Sequence, residues 1–229
     1  MDRTDQGRSG AGGGEPAHRP DRREIRVGTG RVVLCGDLAA PAEAHGLVLF
    51  AHGSGSSRHS PRNRYVAGRL EERGLATCLI DLLDVTEEDD RRAVFDIELL
   101  AGRLAAAEAH LRDDPEVGGL PLGLFGASTG AAAALVAASR LGERVRAVVS
   151  RGGRPDLAGP ALPAVRSPTL LIVGGEDGVV VDLNRNALSM LGGERQLVIV
   201  PGAGHLFEEP GALEAVAGLA ADWFAERLR

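Results

Sequence analysis

The stretch from Leu120 to Leu141 constrains the chain more than any other. The apolar run Pro121 to Phe125 meets Gly126-Ala127-Ser128-Thr129-Gly130, and a small-residue run, Ala131 to Ala138, follows. Read locally, this is a strand, a sharp turn and a helix carrying one serine. The G-x-S-x-G spacing has a mechanical sense there, because a strained strand-to-helix turn lifts the serine hydroxyl clear of both elements. In a chain with 32 glycines the bare pattern is weak, so the flanking elements must supply the context.

Those elements alternate. Ile25 to Val27 and Val32 to Leu34 are β-prone runs around Gly28-Thr29-Gly30, a hairpin pattern. Leu47 to Phe50 is a continuous apolar strand of the kind buried on both faces of a parallel sheet. It runs into Ala51-His52-Gly53-Ser54-Gly55-Ser56-Ser57, after which Ser60 and Pro61 suit N-cap and N1 of a helix that Gly74 ends. Ala76 to Ile80 reads as a strand. The acidic run Glu87 to Asp90 suits a helix N-terminus. Ile97, Leu100, Leu104, Ala107 and Leu111 mark one face of a long helix. Strands follow at Val145–Val149, Thr169–Val173 and Gln196–Val200, with helices near Leu183–Leu191 and along Leu213, Val216, Ala220, Trp223 and Phe224. This alternation predicts an α/β class with a mostly parallel sheet and helices on both faces. Residues 151–168 leave no room for a cap domain, so an open site favouring short or extended acyl groups is expected.

Composition narrows the function. The 229 residues, 44% of them apolar, suit one domain. Residues 1–23 hold almost no aliphatic side chains and read as a disordered tail, leaving 24–229 as the domain. A net charge of -6 and few aromatics argue against nucleic acid. No apolar run is long enough to cross a bilayer and no hydrophobic leader is seen, which points to a cytoplasmic protein, monomeric or homodimeric. Cys35 and Cys78 lie in apolar runs and read as reduced, buried residues.

Right-handed crossovers put every strand-to-helix loop at one sheet edge. His52, Ser128, Arg151, Asp177 and His205 each follow a predicted strand, so all five come to one rim. A serine nucleophile needs a base, and the base needs an orienting acid. Ser128, Asp177 and His205 supply these in the order nucleophile, acid, base, the order of α/β-hydrolases. His52 is the competing base; Glu176 and Asp156 are the competing acids. Oxyanion donors are expected at the Thr129 and Ser54 backbone N–H groups. No third ligand accompanies His52 and His59, so no metal is expected.

Three segments carry a family resemblance: the loop His52 to Arg64, the serine elbow, and Ser150-Arg151-Gly152-Gly153-Arg154-Pro155-Asp156. Together they are similar to the small dienelactone-hydrolase-like group of α/β-hydrolases. The resemblance implies a sheet of about eight strands, hydrolysis of esters or related acyl bonds, and no cofactor. Dienelactone hydrolases proper use a cysteine nucleophile, whereas this elbow carries Ser128, which points to serine carboxylesterase chemistry. A non-catalytic member holding a small ligand in the same pocket is the alternative. His52, Arg58 and Arg151 are candidate substrate contacts. With Arg62, Arg64 and Arg154 these arginines either receive an anionic substrate or pair with Asp81, Asp84 or Asp156.

Overall fold

The computed structural model describes residues 21–30 and 32–229. Eight strands form one sheet: β1 (Asp21–Thr29), β2 (Val32–Ala40), β3 (Gly46–Ala51), β4 (Leu75–Ile80), β5 (Leu122–Ala127), β6 (Val145–Arg151), β7 (Thr169–Gly174) and β8 (Arg195–Val200). Their order is β1-β2-β4-β3-β5-β6-β7-β8. Among the described residues only the β1–β2 and β2–β4 pairings are antiparallel; β4-β3-β5-β6-β7-β8 run parallel.

Among the described residues, five α-helices lie between strands, α1 (Pro61–Glu71), α2 (Arg91–Val94), α3 (Ile97–Arg112), α4 (Thr129–Leu141) and α5 (Gly178–Met190), and a sixth, α6 (Ala212–Arg227), follows β8. Strand alternation divides the core. Leu122 and Leu124 of β5 join one apolar layer with Leu104 of α3 and Ala133 of α4. Phe125 faces the other way, into a layer with Leu70 of α1 and Phe224 of α6. Phe50 and Phe125 anchor that second layer with ring centroids 4.7 Å apart. Fully burying such side chains stabilises the fold by about 1.5–3 kcal/mol each.

Residues 151–168 hold a short 3-10 segment, Pro155–Ala164, and no cap domain. Several boundaries differ from the sequence expectation. Residues 1–20 of the expected tail lie outside the described residues, but Asp21 to Arg23 belong to β1. Ion pairs hold this end where apolar burial does not: Arg22 with Glu71 at 2.6 Å and Arg23 with Asp114 at 2.5 Å. Helix α5 begins directly after Asp177 rather than near Leu183. The acidic run ends in Asp90, which caps the single turn α2, while Asp96 caps α3 separately. Cys78 is buried as expected, but Cys35 is half-buried, at the wall of a cavity. No helix among the described residues is long and apolar enough to cross a membrane.

Candidate active site

Ser128 sits between β5 and α4 at φ 51°, ψ -121°, a conformation that non-glycine residues hold only when their surroundings impose it. The flanking glycines explain how the turn closes. A Cβ on Gly126 would lie 2.4 Å from the Ala131 Cα, and one on Gly130 only 2.3 Å from the Ala51 carbonyl oxygen. The turn is pinned from the β6 side as well: Ser128 N–H donates to the Arg151 carbonyl at 3.2 Å, and Arg154 N–H to the Ser128 carbonyl at 3.1 Å.

N-cap usage separates the site from ordinary helix starts. Ser60, Asp90 and Asp96 each accept a backbone N–H of the helix they open. Ser128 and Asp177 occupy the same position before α4 and α5, yet neither side chain makes a cap hydrogen bond. Forgoing a cap costs about 1 kcal/mol. For Asp177 the alternative partner is visible: its Oδ2 lies 2.6 Å from His205 Nδ1. The carboxylate accepts, so the ring carries its proton on Nδ1 and leaves Nε2 as a base. The loop after β6 links this pair to the serine. A Cβ placed on Gly152 would lie 3.0 Å from the His205 carbonyl oxygen and 3.6 Å from its Nδ1. Ser128 and His205 therefore flank the same short segment, although no direct hydrogen bond joins them among the described residues. Apo sites often tighten only when substrate arrives.

Neither rival acid is bonded to the His205 ring among the described residues. Asp156 forms a two-pronged pair with Arg154 at 2.9 and 2.7 Å, and Glu176 is exposed. Both ring nitrogens of His52 are occupied, although the residue also lines the cavity beside its loop. Its Nδ1 donates to the Gly53 carbonyl at 3.0 Å and its Nε2 accepts Leu82 N–H at 3.0 Å, so both nitrogens are consumed in tying two loops together. Burial lowers its pKa below the ordinary 6.5, against smaller raising effects of the Gly53 carbonyl, Asp81 and Glu88. An unfolded chain thus binds a proton near pH 6.5 that the fold refuses. Stability present above that pH is lost as pH falls towards the folded-state pKa, at up to about 1.4 kcal/mol per pH unit. Urea unfolding between pH 7.5 and 5 should show this slope, and His52→Gln should flatten it.

Arg58 follows the second of the two expectations for the arginines, pairing with carboxylates that include Asp81. Its Nη2 bonds Glu24 at 3.0 Å, and its Nε lies 3.4 Å from Asp37 and 3.6 Å from Asp81. Arg64 pairs with Asp37, Arg154 with Asp156 and Arg62 with Glu208. Arg151 alone of these arginines has no carboxylate within 4.0 Å among the described residues. It is 8% exposed, its Nε and Nη1 are buried with no acceptor, and Nη2 reaches only Asn63 Oδ1 at 3.4 Å. Burial, aided by repulsion from Arg62, pushes its pKa down to about 10, still fully charged at neutral pH.

The expected oxyanion donors are arranged differently from the sequence reading. Ser54 N–H does not stand free: it donates to Thr129 Oγ1 at 2.9 Å. Both residues line a cavity of about 600 Å³ between the His52–Arg58 loop and the Leu83–Val94 segment. Two supporting asparagines were not legible as functional. Asn63 steadies Arg151, and the buried Asn184 donates to the Gly153 carbonyl at 2.9 Å, bracing the loop beside Ser128. A buried polar residue on an apolar helix face is the signal each leaves in the sequence. No group of three His, Cys, Asp or Glu among the described residues is placed to hold a metal ion.

Comparison with known proteins agrees with this architecture. A crystal structure of a dienelactone hydrolase from Anabaena variabilis ATCC 29413 is 57% identical, with a TM-score of 0.90 over 93% of this chain and 100% of that one. Est1E from Butyrivibrio proteoclasticus shares the fold at 15% identity, with a TM-score of 0.77 over 89% of this chain and 98% of that one. Two Mycobacterium tuberculosis proteins, from strains H37Rv and CDC 1551, carry a phosphoribosyl transferase name and are each 55% identical over 100% of this chain. The chain spans 52% of their length, about half of each. The dienelactone hydrolase family model matches residues 84–226, well over half of the sequence. On the fold, the elbow and this match, the chain belongs to the dienelactone hydrolase family of α/β hydrolases.

Proposed function

We propose that this chain is a serine hydrolase that cleaves carboxylic ester or related acyl bonds of small substrates through an acyl-enzyme. One observation carries the reading: Ser128 and Asp177 stand at helix N-caps and withhold their side chains from capping, the aspartate in favour of His205. In the mechanism, Ser128 Oγ attacks the acyl carbonyl as His205 Nε2 takes its proton, and Asp177 stabilises the resulting imidazolium. The tetrahedral intermediate collapses as the leaving alcohol takes the proton from His205. Water then repeats the sequence on the acyl-enzyme. The Thr129 N–H belongs to the oxyanion hole, because the first N–H groups of a helix have no partner within it. Labelling with a fluorophosphonate probe tests the reading. Wild type should label at Ser128 and Ser128→Ala should not, whereas an unlabelled folded wild type would favour a non-catalytic ligand-binding role.

The favoured substrates carry a negative charge, and Arg151 supports this. Burying an ion without a counter-charge costs several kcal/mol, so a guanidinium left unpaired beside the nucleophile's loop is costly unless a ligand completes it. The first turn of α1, where Asn63 meets Arg151, contains no acidic residue and contributes its own positive end. Arg151→Met should lower the ratio of kcat/KM for mono-p-nitrophenyl succinate over p-nitrophenyl acetate by about tenfold or more, the worth of one hydrogen bond to a charged group. It should also raise the melting temperature, since it removes an uncompensated buried charge. An unchanged ratio would assign Arg151 to structure alone.

A further inference from the structure

The bond between Ser54 and Thr129 reorganises the oxyanion hole. In the sequence reading both donors are backbone amides, Thr129 N–H and Ser54 N–H. In the structure the Ser54 amide is spent on Thr129 Oγ1 at 2.9 Å. A threonine hydroxyl can accept one hydrogen bond and still donate its own hydrogen. Among the described residues the Thr129 hydroxyl accepts from Ser54 and donates to no acceptor. Thr129 is 3% exposed and lies at the wall of the 600 Å³ cavity, so this unspent hydrogen belongs to a buried group that borders the cavity one residue from the nucleophile. Thr129 is also N1 of α4, immediately after Ser128, with an N–H that the helix itself cannot satisfy.

We propose that Thr129 supplies both oxyanion donors, its N–H and its Oγ1–H, with the Ser54 amide polarising the hydroxyl from behind. This rests on the serine-hydrolase reading above. As the Ser128 Oγ–carbon bond forms, the carbonyl π pair moves onto oxygen and the serine proton passes to His205. The new oxyanion then accepts two hydrogen bonds from one residue. Thr129 loses no proton. When the carbonyl re-forms, the bond to the leaving oxygen breaks, that oxygen takes the proton from His205, and both donors relax to a neutral carbonyl. Accepting a bond from Ser54 makes the hydroxyl a better donor, because linked hydrogen bonds polarise one another. Fixing the acceptor side also orients the O–H, so no reorganisation is needed as charge develops.

Thr129→Val tests this by the sign of its effect. Valine keeps the branched shape, removes the hydroxyl, and releases Ser54 N–H to face the cavity. If the hydroxyl is the donor, kcat for p-nitrophenyl acetate falls by about 100-fold with KM little changed. Inhibition by an aryl trifluoromethyl ketone, whose serine adduct bears an oxyanion, weakens by a similar factor. Thr129→Ser then restores kcat to within about fivefold of wild type. If the hydroxyl merely occupies the Ser54 amide, Thr129→Val hydrolyses as fast as wild type or faster, and the proposal is overturned. Should the valine variant not fold, Thr129→Cys, with its weak thiol donor, carries the same two expectations. A wild type that is neither labelled by fluorophosphonate nor active would overturn the hydrolase reading and this one together. A labelled, active wild type matched by Thr129→Val overturns this one alone.

Discussion

Ser128→Ala is expected to lower kcat for p-nitrophenyl acetate by about 10⁴- to 10⁶-fold, the usual loss when a nucleophile is removed from a unit whose members act together. The loss should be far larger than any change in stability, since Ser128 makes no side-chain cap bond that alanine could forfeit. Stability offers a second, independent reading of the same residue. At φ 51° both serine and alanine are strained, whereas glycine is at ease. Ser128→Gly should therefore be as inactive as Ser128→Ala but more stable than it by about 1 kcal/mol, measured by urea unfolding. Activity in Ser128→Ala within tenfold of wild type would remove the serine from the chemistry altogether.

Asp177→Asn should lower kcat by about 10⁴-fold without unfolding the protein. Asp177 makes no side-chain cap bond, so α5 has none to lose at its start. The damage falls on the imidazole. An amide N–H offered to His205 Nδ1 turns that nitrogen into an acceptor and moves the ring proton to Nε2, where a base is needed. It also withdraws the charge that would stabilise the imidazolium. A melting temperature near that of wild type, together with the large drop in kcat, would identify Asp177 as the orienting acid. The reverse pattern, lost stability with retained kcat, would make the 2.6 Å pair with His205 structural.

Much of this site was legible in the chain because its signals are local. The elbow needs glycine on both sides of Ser128 wherever strand meets helix so closely, and Ser60 with Pro61 announces α1 through the chemistry of its first turn. Placement of Asp177 and His205 at one rim follows from parallel strands and right-handed crossovers, which need only the order of elements. Boundaries set by distant partners were less readable. Asp21 to Arg23 look like tail by composition, but backbone pairing with Leu38 to Ala40 and ion pairs to Glu71 and Asp114 make them strand.

The fate of individual polar groups was decided in three dimensions. His52 and His205 are the same residue type at equivalent strand exits. One is consumed by the Gly53 carbonyl and the Leu82 amide, while the other is oriented by Asp177. Five arginines crowd two loops in the sequence, yet only the fold shows four of them answered by carboxylates and Arg151 answered by none among the described residues. Side-chain periodicity and chain order determine the alternation of strands and helices around a mostly parallel sheet and bring serine, carboxylate and imidazole to one edge. Which donors and charges remain free at that edge depends on contacts between residues as far apart in sequence as Ser54 and Thr129, and hydrogen bonds at that range exist only once the chain has folded.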